Sequence, residues 1–162
     1  MANELLSPTD AVAQLSFAVL GMLERRAAQH GLSMAQVRLL GVLRDRTPTM
    51  NELARLMELD KSSVTGLVER AERRGLVLRV ASVADRRSVL VRLTASGREL
   101  VTQAARHFDA DVAGLLGLLP TRDRAVLTGL VSRLLVAHAA ERGVDLFTTA
   151  TEAERGTPAS RR

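Results

Sequence analysis

The chain has 162 residues, 46% hydrophobic and 25% charged, with 23 Lys+Arg against 18 Asp+Glu and a formal net charge of +5. Such a length buries a core without crosslinks, and the apolar share excludes disordered, collagen-like and low-complexity classes. With no cysteine, disulfide frameworks, thiol switches, cysteine-ligated zinc and cysteine nucleophiles are excluded too, as suits a reducing, cytoplasmic setting.

The opening MANELLSPTDAVAQ lacks the basic stretch and apolar run of a signal peptide, and no segment approaches the roughly 20 apolar residues of a membrane helix. The expectation is a protein of the cytoplasm with no membrane partner. The only aromatics are Phe17, Phe108 and Phe147. A core of Leu, Val, Ala and Met favours packed helices over a sandwich or barrel. Of the basic residues only Lys61 is a lysine. Arginine's planar fork suits phosphates and guanine edges, and GC-rich codon usage produces the same preference. The position of the charge says more. From Ser33 to Arg98 there are 13 basic and 7 acidic residues, against 10 and 11 in the rest of the chain. A basic excess confined to the middle is the footprint of a surface that meets phosphate.

Ser7-Pro8-Thr9-Asp10 predicts a helix start, with Ser7 as cap, Pro8 at the first helical position and an acid in the first turn. Val12, Leu15, Val19, Met22 and Leu23 then recur at helical spacing until His30-Gly31. Ser33 caps a second helix to about Arg44, with Val37, Leu40, Val42 and Leu43 as its expected buried positions. After the break Thr47-Pro48-Thr49, Thr49 and Glu52 form a capping box that opens a short third helix, Met50 to Met57. Asp60 caps a fourth, which runs to Arg73 or Arg74 and stops at Gly75. Beyond Gly75 the apolar period falls to two: Val77, Arg79, Ala81 and Val89, Val91, Leu93 share one parity around the polar tip Ser82 to Ser88, the pattern of a hairpin. Thr94 caps a long helix from Ala95 to about Leu118, some 35 Å at about 1.5 Å per residue. Pro120-Thr121 starts a last helix to about Arg142, with Leu127, Leu130, Val131, Leu134, Leu135 and His138 on one side. From Thr148 the composition is that of a disordered tail.

Helix three, a tight turn and helix four, followed by a hairpin, is the layout of a winged helix-turn-helix. Leu53, Ala54, Leu56 and Met57 are expected to pack under Val64, Leu67, Val68 and Ala71. The opposite face of helix four shows Lys61, Ser62, Ser63, Thr65, Gly66, Glu69, Arg70 and Arg73. Short hydroxyls near a helix start can reach phosphates or base edges in a major groove while the cations neutralise the backbone. At the wing tip, Arg86 and Arg87 stand beside Asp85. Such a tip can place an arginine in a neighbouring minor groove, with Asp85 orienting one of the pair.

The stretches SSVTGLVERAERRGLV and ADRRSVLVRLTASGREL resemble the MarR family of bacterial transcriptional regulators, whose wing signature is Asp-x-Arg, alternating apolar residues, Leu-Thr, and a Gly three residues after the Thr. The similarity covers about residues 10–140. It implies a mainly α fold with a small β-hairpin wing, a winged helix-turn-helix carried on long dimerisation helices. It also implies an obligate homodimer in which the first and last helices interlock, with double-stranded DNA as partner, helix four in the major groove and a wing arginine at the minor groove. On this chain Asp85 and Arg87 match the family's structural pair and Arg86 is the favoured groove probe, the division between the two arginines staying open. Many members carry Arg where this chain has Gly66. Glycine there costs about 1 kcal/mol of helix stability against alanine and removes a base-reading side chain, which leaves Ser62, Ser63, Thr65, Arg70 and the wing to carry specificity.

The residue pattern argues for a dimer as well, because a winged domain of about 60 residues cannot cover the apolar stripes of the first, fifth and last helices. A two-fold pair implies a palindromic operator with half-sites roughly 10 bp apart between centres. The domain division expected is 33–94 for the DNA-binding lobe, 1–32 and 95–147 for the dimerisation region, and 148–162 for the tail. Resemblance further implies a small-molecule effector, aromatic or anionic, bound between helices one, two and five, with Phe17, Met22, His30, Arg38 and His107 as candidate lining. No HxxH or HExxH spacing points to a metal, no cofactor motif is present, and GxSxG, GxGxxG and a Walker lysine are absent, so an enzyme is not expected. The reading is a dimeric transcriptional regulator, a repressor. The alternative is a winged-helix module that binds protein partners without DNA.

Overall fold

The computed structural model describes residues 6–82 and 88–141. Its elements run α1 (Pro8–Gln29), α2 (Met34–Asp45), α3 (Met50–Met57), α4 (Lys61–Arg73), β1 (Val77–Ala81), β2 (Val89–Leu93), α5 (Ala95–Leu116) and α6 (Thr121–Glu141). Asp85, Arg86 and Arg87, and the expected tail from Thr148, lie outside the described residues.

Five of the six helix starts are built by the side chain the sequence supplies. Ser7 accepts from the Asp10 N–H. Ser33 pairs reciprocally with Gln36, and Thr49 with Glu52, as capping boxes. Asp60 accepts from the Ser63 N–H, and Thr94 from the Gly97 N–H. Each cap of this kind stabilises its helix by about 1 kcal/mol. The stops are equally local: Gly31 and Gly75 take left-handed φ of 59° and 68°, where a side chain is strained.

The core lies where α2, α3 and α4 meet the hairpin. Leu39, Leu53, Met57, Val64, Leu67, Val68 and Val91 are fully covered. The α2 expectation needs one correction. Leu39, Leu40 and Leu43 are buried, whereas Val37 and Val42 are only half-buried. Helix α2 is packed by α3, α4, β2 and α5, so its buried face sits closer to Leu39 than a single stripe suggests. On α3, Leu53 and Met57 are buried, and Ala54 and Leu56 are half-buried.

The hairpin is antiparallel, with Val77 opposite Leu93, Arg79 opposite Val91 and Ala81 opposite Val89. The break before α3 also joins this sheet: the Val91 N–H donates to the Pro48 carbonyl at 2.9 Å, and Thr49 bridges Leu90. Thr94 locks the base of the wing. Its hydroxyl donates to the Gly75 carbonyl at 2.6 Å, and its N–H donates to the Leu76 carbonyl at 3.0 Å. The first turn of α5 then passes so close to Leu76 that a Cβ on Gly97 would collide with the Leu76 carbonyl oxygen. This close approach is the physical reason for a glycine three residues after the threonine.

Helix α5 packs on α1 and α2, and Asp111 holds Arg26 of α1 through two hydrogen bonds of 2.7 Å. Helix α5 ends at Leu116, two residues short of the expectation, with Gly117 as its C-cap. Among the described residues, helix α6 packs closely on no other element of its own chain. Its expected apolar side is accordingly open: Leu130, Val131, Leu134 and Leu135 are exposed, Leu134 by 64%.

Candidate nucleic-acid interface

The buried stripe of α4, Val64, Leu67, Val68 and Ala71, fixes what the helix shows outward. Lys61, Ser62, Ser63, Arg70 and Arg73 are exposed, and Thr65 and Gly66 are half-buried. The structure therefore places all the α4 residues named from the sequence on the outer side of one helix. Among the described residues no ion pair engages Lys61, Arg70 or Arg73. Gly66 leaves a shallow depression beside Leu59, Ser62, Ser63 and Leu67, with Arg70 along its edge. An added Cβ at Gly66 would meet the Arg70 guanidinium at 3.3 Å.

The first turn of α4 is closely bonded. The Ser62 hydroxyl donates to Asp60 Oδ1 at 2.5 Å, the Ser63 hydroxyl to Oδ2 at 2.6 Å, and the Ser63 N–H to Oδ1 at 2.8 Å. The two hydroxyls, Ser62 first, hold the Asp60 carboxyl well below the usual carboxylate range. One turn on, the Thr65 hydroxyl donates to the Lys61 carbonyl at 2.7 Å.

Two arginines to which the sequence assigns no role set the angle of this helix. Arg79 of β1 stands at a core-facing position yet reaches α4, donating to the Thr65 carbonyl at 3.3 Å and pairing with Glu72 at 3.4 Å. The Arg79 N–H also donates to Glu72 Oε1 at 3.1 Å. Its sequence signal is an arginine at an inward parity of an apolar strand. Arg74, next after α4, donates to the carbonyls of Gly31 at 2.7 Å and His30 at 2.9 Å, so α4 is fastened to the end of α1.

Beside that junction, α1, α2 and α5 enclose a cavity of about 300 Å³, walled by Leu23, Val37, Leu40, Leu100, Val101 and Phe108, with Arg26 and Arg44 among its polar groups. Of the five candidate residues, His30 lines it; Phe17, Met22, Arg38 and His107 do not. Phe17 is 66% exposed on the open side of α1. Arg38 and His107 each sit one position from a lining residue, Val37 and Phe108, and one position is about 100° around a helix. Arg44 lies seven residues after Val37, two turns along the same face, which is the signal that selects it over Arg38. Its charge is reinforced by a hydrogen bond to Asp45, which raises its pKa. Among the described residues no group of three or more His, Asp or Glu could hold a metal ion, and no helix is long and apolar enough to cross a membrane.

Residues 30–88 match the MarR family model. The chain is 32% identical over 105 residues to the homoprotocatechuate degradative operon repressor of Escherichia coli, a match covering 64% of this chain and 70% of that protein. It is 34% identical over 101 residues to the HTH-type transcriptional regulator YfiV of Bacillus subtilis, covering 61% of this chain and spanning 63% of the length of that relative. The fold is shared with wild-type MarR from Escherichia coli in its apo form, at a TM-score of 0.67, 22% identity, and coverage of 82% of this chain and 99% of that one. It is also shared with NadR in complex with 4-hydroxyphenylacetate, at a TM-score of 0.64, 24% identity, and coverage of 83% and 96%. The wing and cap chemistry, the helix-turn-helix core and these likenesses lead to one conclusion: the chain belongs to the MarR family of transcriptional regulators, non-enzymatic proteins with a winged helix-turn-helix fold.

Proposed function

We propose that the protein is a homodimeric repressor that binds a palindromic DNA operator, with residues 33–94 as the DNA-binding lobe and with α1, α5 and α6 supplying the dimer interface. The observation that carries this reading is the outer face of α4, where Lys61, Arg70 and Arg73 are exposed and form no ion pair among the described residues, beside Ser62, Ser63 and Thr65. A helix with that face, held on a closed core, fits a major groove, and the cations release counterions from the phosphate backbone. One wing arginine, Arg86 or Arg87, extends the contact to the minor groove, with Asp85 orienting the other. Repression follows the role of the homoprotocatechuate relative. Dimerisation is supported by the open apolar sides of α1 and α6, where Val12, Phe17, Leu130 and Leu134 are exposed. An apolar surface of that extent marks an association site.

The cavity supports a second element, relief of binding by a small aromatic acid. Its walls are apolar, Arg26 and Arg44 can exchange their present carboxylate partners, Asp111 and Asp45, for that of a ligand, and a fold relative holds 4-hydroxyphenylacetate. Because Arg74 fastens α4 to the end of α1 beside His30, a molecule that shifts α1 also tilts the reading helix.

The test is selection of bound duplexes from a random pool, followed by gel shift across salt concentrations. A two-fold operator should emerge, with affinity falling steeply as salt rises. Replacing Arg86 and Arg87 together by Ala should reduce the salt slope by about one for each phosphate no longer neutralised. Failure to enrich any duplex at low salt overturns the reading in favour of a winged-helix module for protein partners.

A further inference from the structure

We propose that the first turn of α4 reads bases as a hydrogen-bond acceptor only, so that each half-site turns an amino donor, adenine N6 or cytosine N4, toward Ser62 or Ser63. The proposal rests on the reading that α4 enters the major groove, and it adds the chemical polarity of what is read there. A serine hydroxyl carries one proton and two lone pairs. An ionised carboxylate accepts and never donates, so both serine protons point at Asp60, at 2.5 and 2.6 Å. Thr65 is in the same position, its proton given to the Lys61 carbonyl at 2.7 Å, and a carbonyl is likewise acceptor-only. What these three hydroxyls offer DNA is therefore lone pairs.

Major-groove edges divide cleanly on this point. Guanine N7 and O6, adenine N7 and thymine O4 are acceptors, while adenine N6 and cytosine N4 are the donors. Phosphate oxygens are acceptors too, and they additionally meet the charge of Asp60. Turning a serine hydroxyl outward as a donor breaks a charge-assisted hydrogen bond, which is the stronger kind. Phosphate contact then falls to Lys61, Arg70 and Arg73, which carry only donors, and the serines are left to discriminate among bases. Asp60 is thus a positioning residue: it acts on base choice through Ser62 and Ser63.

The experiment starts from duplexes selected by the full chain. At each adenine or cytosine of a half-site in turn, the base is replaced by an analogue lacking the exocyclic amino group, and separately each purine by its 7-deaza analogue. At one or two positions, removal of the amino group should lower affinity roughly five- to tenfold, the worth of one hydrogen bond. The 7-deaza change there should matter less than about twofold, within the scatter of positions that make no hydrogen bond. The protein with Ser62→Ala and Ser63→Ala should lose this sensitivity to the amino group. Asp60→Asn keeps a capping oxygen for the Ser63 N–H but places an amide N–H where Oδ2 stood, so the Ser63 proton is turned outward. At a position read by Ser63, that variant should select guanine or thymine where the parent selects adenine or cytosine. Greater sensitivity to 7-deaza than to amino removal, or unchanged base choice by the folded Asp60→Asn protein at a position that Ser63→Ala alone desensitises, overturns the proposal while leaving DNA binding intact. If the parent chain enriches no sequence, the groove reading fails first, before any analogue is tried, and the proposal fails with it.

Discussion

Two regions of this molecule use the same residues to opposite effect. From α2 to β2, Leu39, Leu53, Leu67 and Val91 are covered by other elements of the same chain. Along α1 and α6, Val12 is 61% exposed and Leu130 51% exposed, although the helices are as rich in Leu, Val and Ala. The difference lies in opposition. A leucine becomes core where the fold brings a second element across from it, and among the described residues no element of its own chain packs closely on α6. The lobe closes on itself, whereas in the proposed dimer the arms are completed by a second copy.

The largest break in that contrast should come from the arms. Leu130→Glu with Leu134→Glu should leave the lobe folded and turn a dimer into a monomer by sedimentation. DNA affinity should fall by about 100-fold or more, because binding to the two half-sites is no longer linked. Retention of the dimer would place the interface elsewhere. In the lobe, Leu53→Ala removes a fully covered side chain from between α3 and α4 and should cost about 2–5 kcal/mol in urea unfolding, with no change in self-association of the folded protein. Gly97→Ala tests the junction between the two regions. Its methyl is directed at the Leu76 carbonyl, and overpacking of this kind should cost about 1–3 kcal/mol or more. A neutral result would show that α5 can slide on the wing base.

The smallest effect is one of pH. Hydrogen bonds from the Thr49 N–H and hydroxyl lower the pKa of Glu52, and the two-pronged bond from Arg26 lowers that of Asp111. A carboxylate with a depressed folded pKa contributes stability that is complete above its unfolded value, about 4, and is lost as pH falls through the folded value. Thermal melts should be level from neutrality to about pH 5 and decline below about pH 4. Glu52→Gln, which keeps an acceptor for the cap but no charge, should flatten part of that decline.

Much of the fold could be read from neighbours in sequence. Ser7, Ser33, Thr49, Asp60 and Thr94 act on residues three positions away, and the change of period at Gly75 marks the hairpin. The outer face of α4 followed from its buried stripe. What escaped depends on packing between distant segments. Leu39 is buried because α2 is packed from several sides, a fact absent from its own pattern. The cavity selects Arg44 over Arg38 because α1 and α5 determine which side of α2 faces inward. Arg74 meets carbonyls 43 and 44 residues earlier, and no periodicity signals a bond from a side chain to a remote backbone. Arg79 falls between these cases, since its inward parity was visible but its partners on α4 were not.

In the proposed two-fold pair, the grip of Arg74 on His30 and Gly31 also bears on how far apart two reading heads would stand. Both its bonds go to main-chain oxygens at the end of a 22-residue helix, so each head is mounted on the end of a rod about 33 Å long. In the proposed two-fold pair such rods work as calipers. One extra base pair at the centre of an operator shifts the second half-site by about 3.4 Å and turns it by about a tenth of a revolution. A head bolted to its rod cannot follow that screw motion. In such a pair, operator spacing is measured by the length of α1.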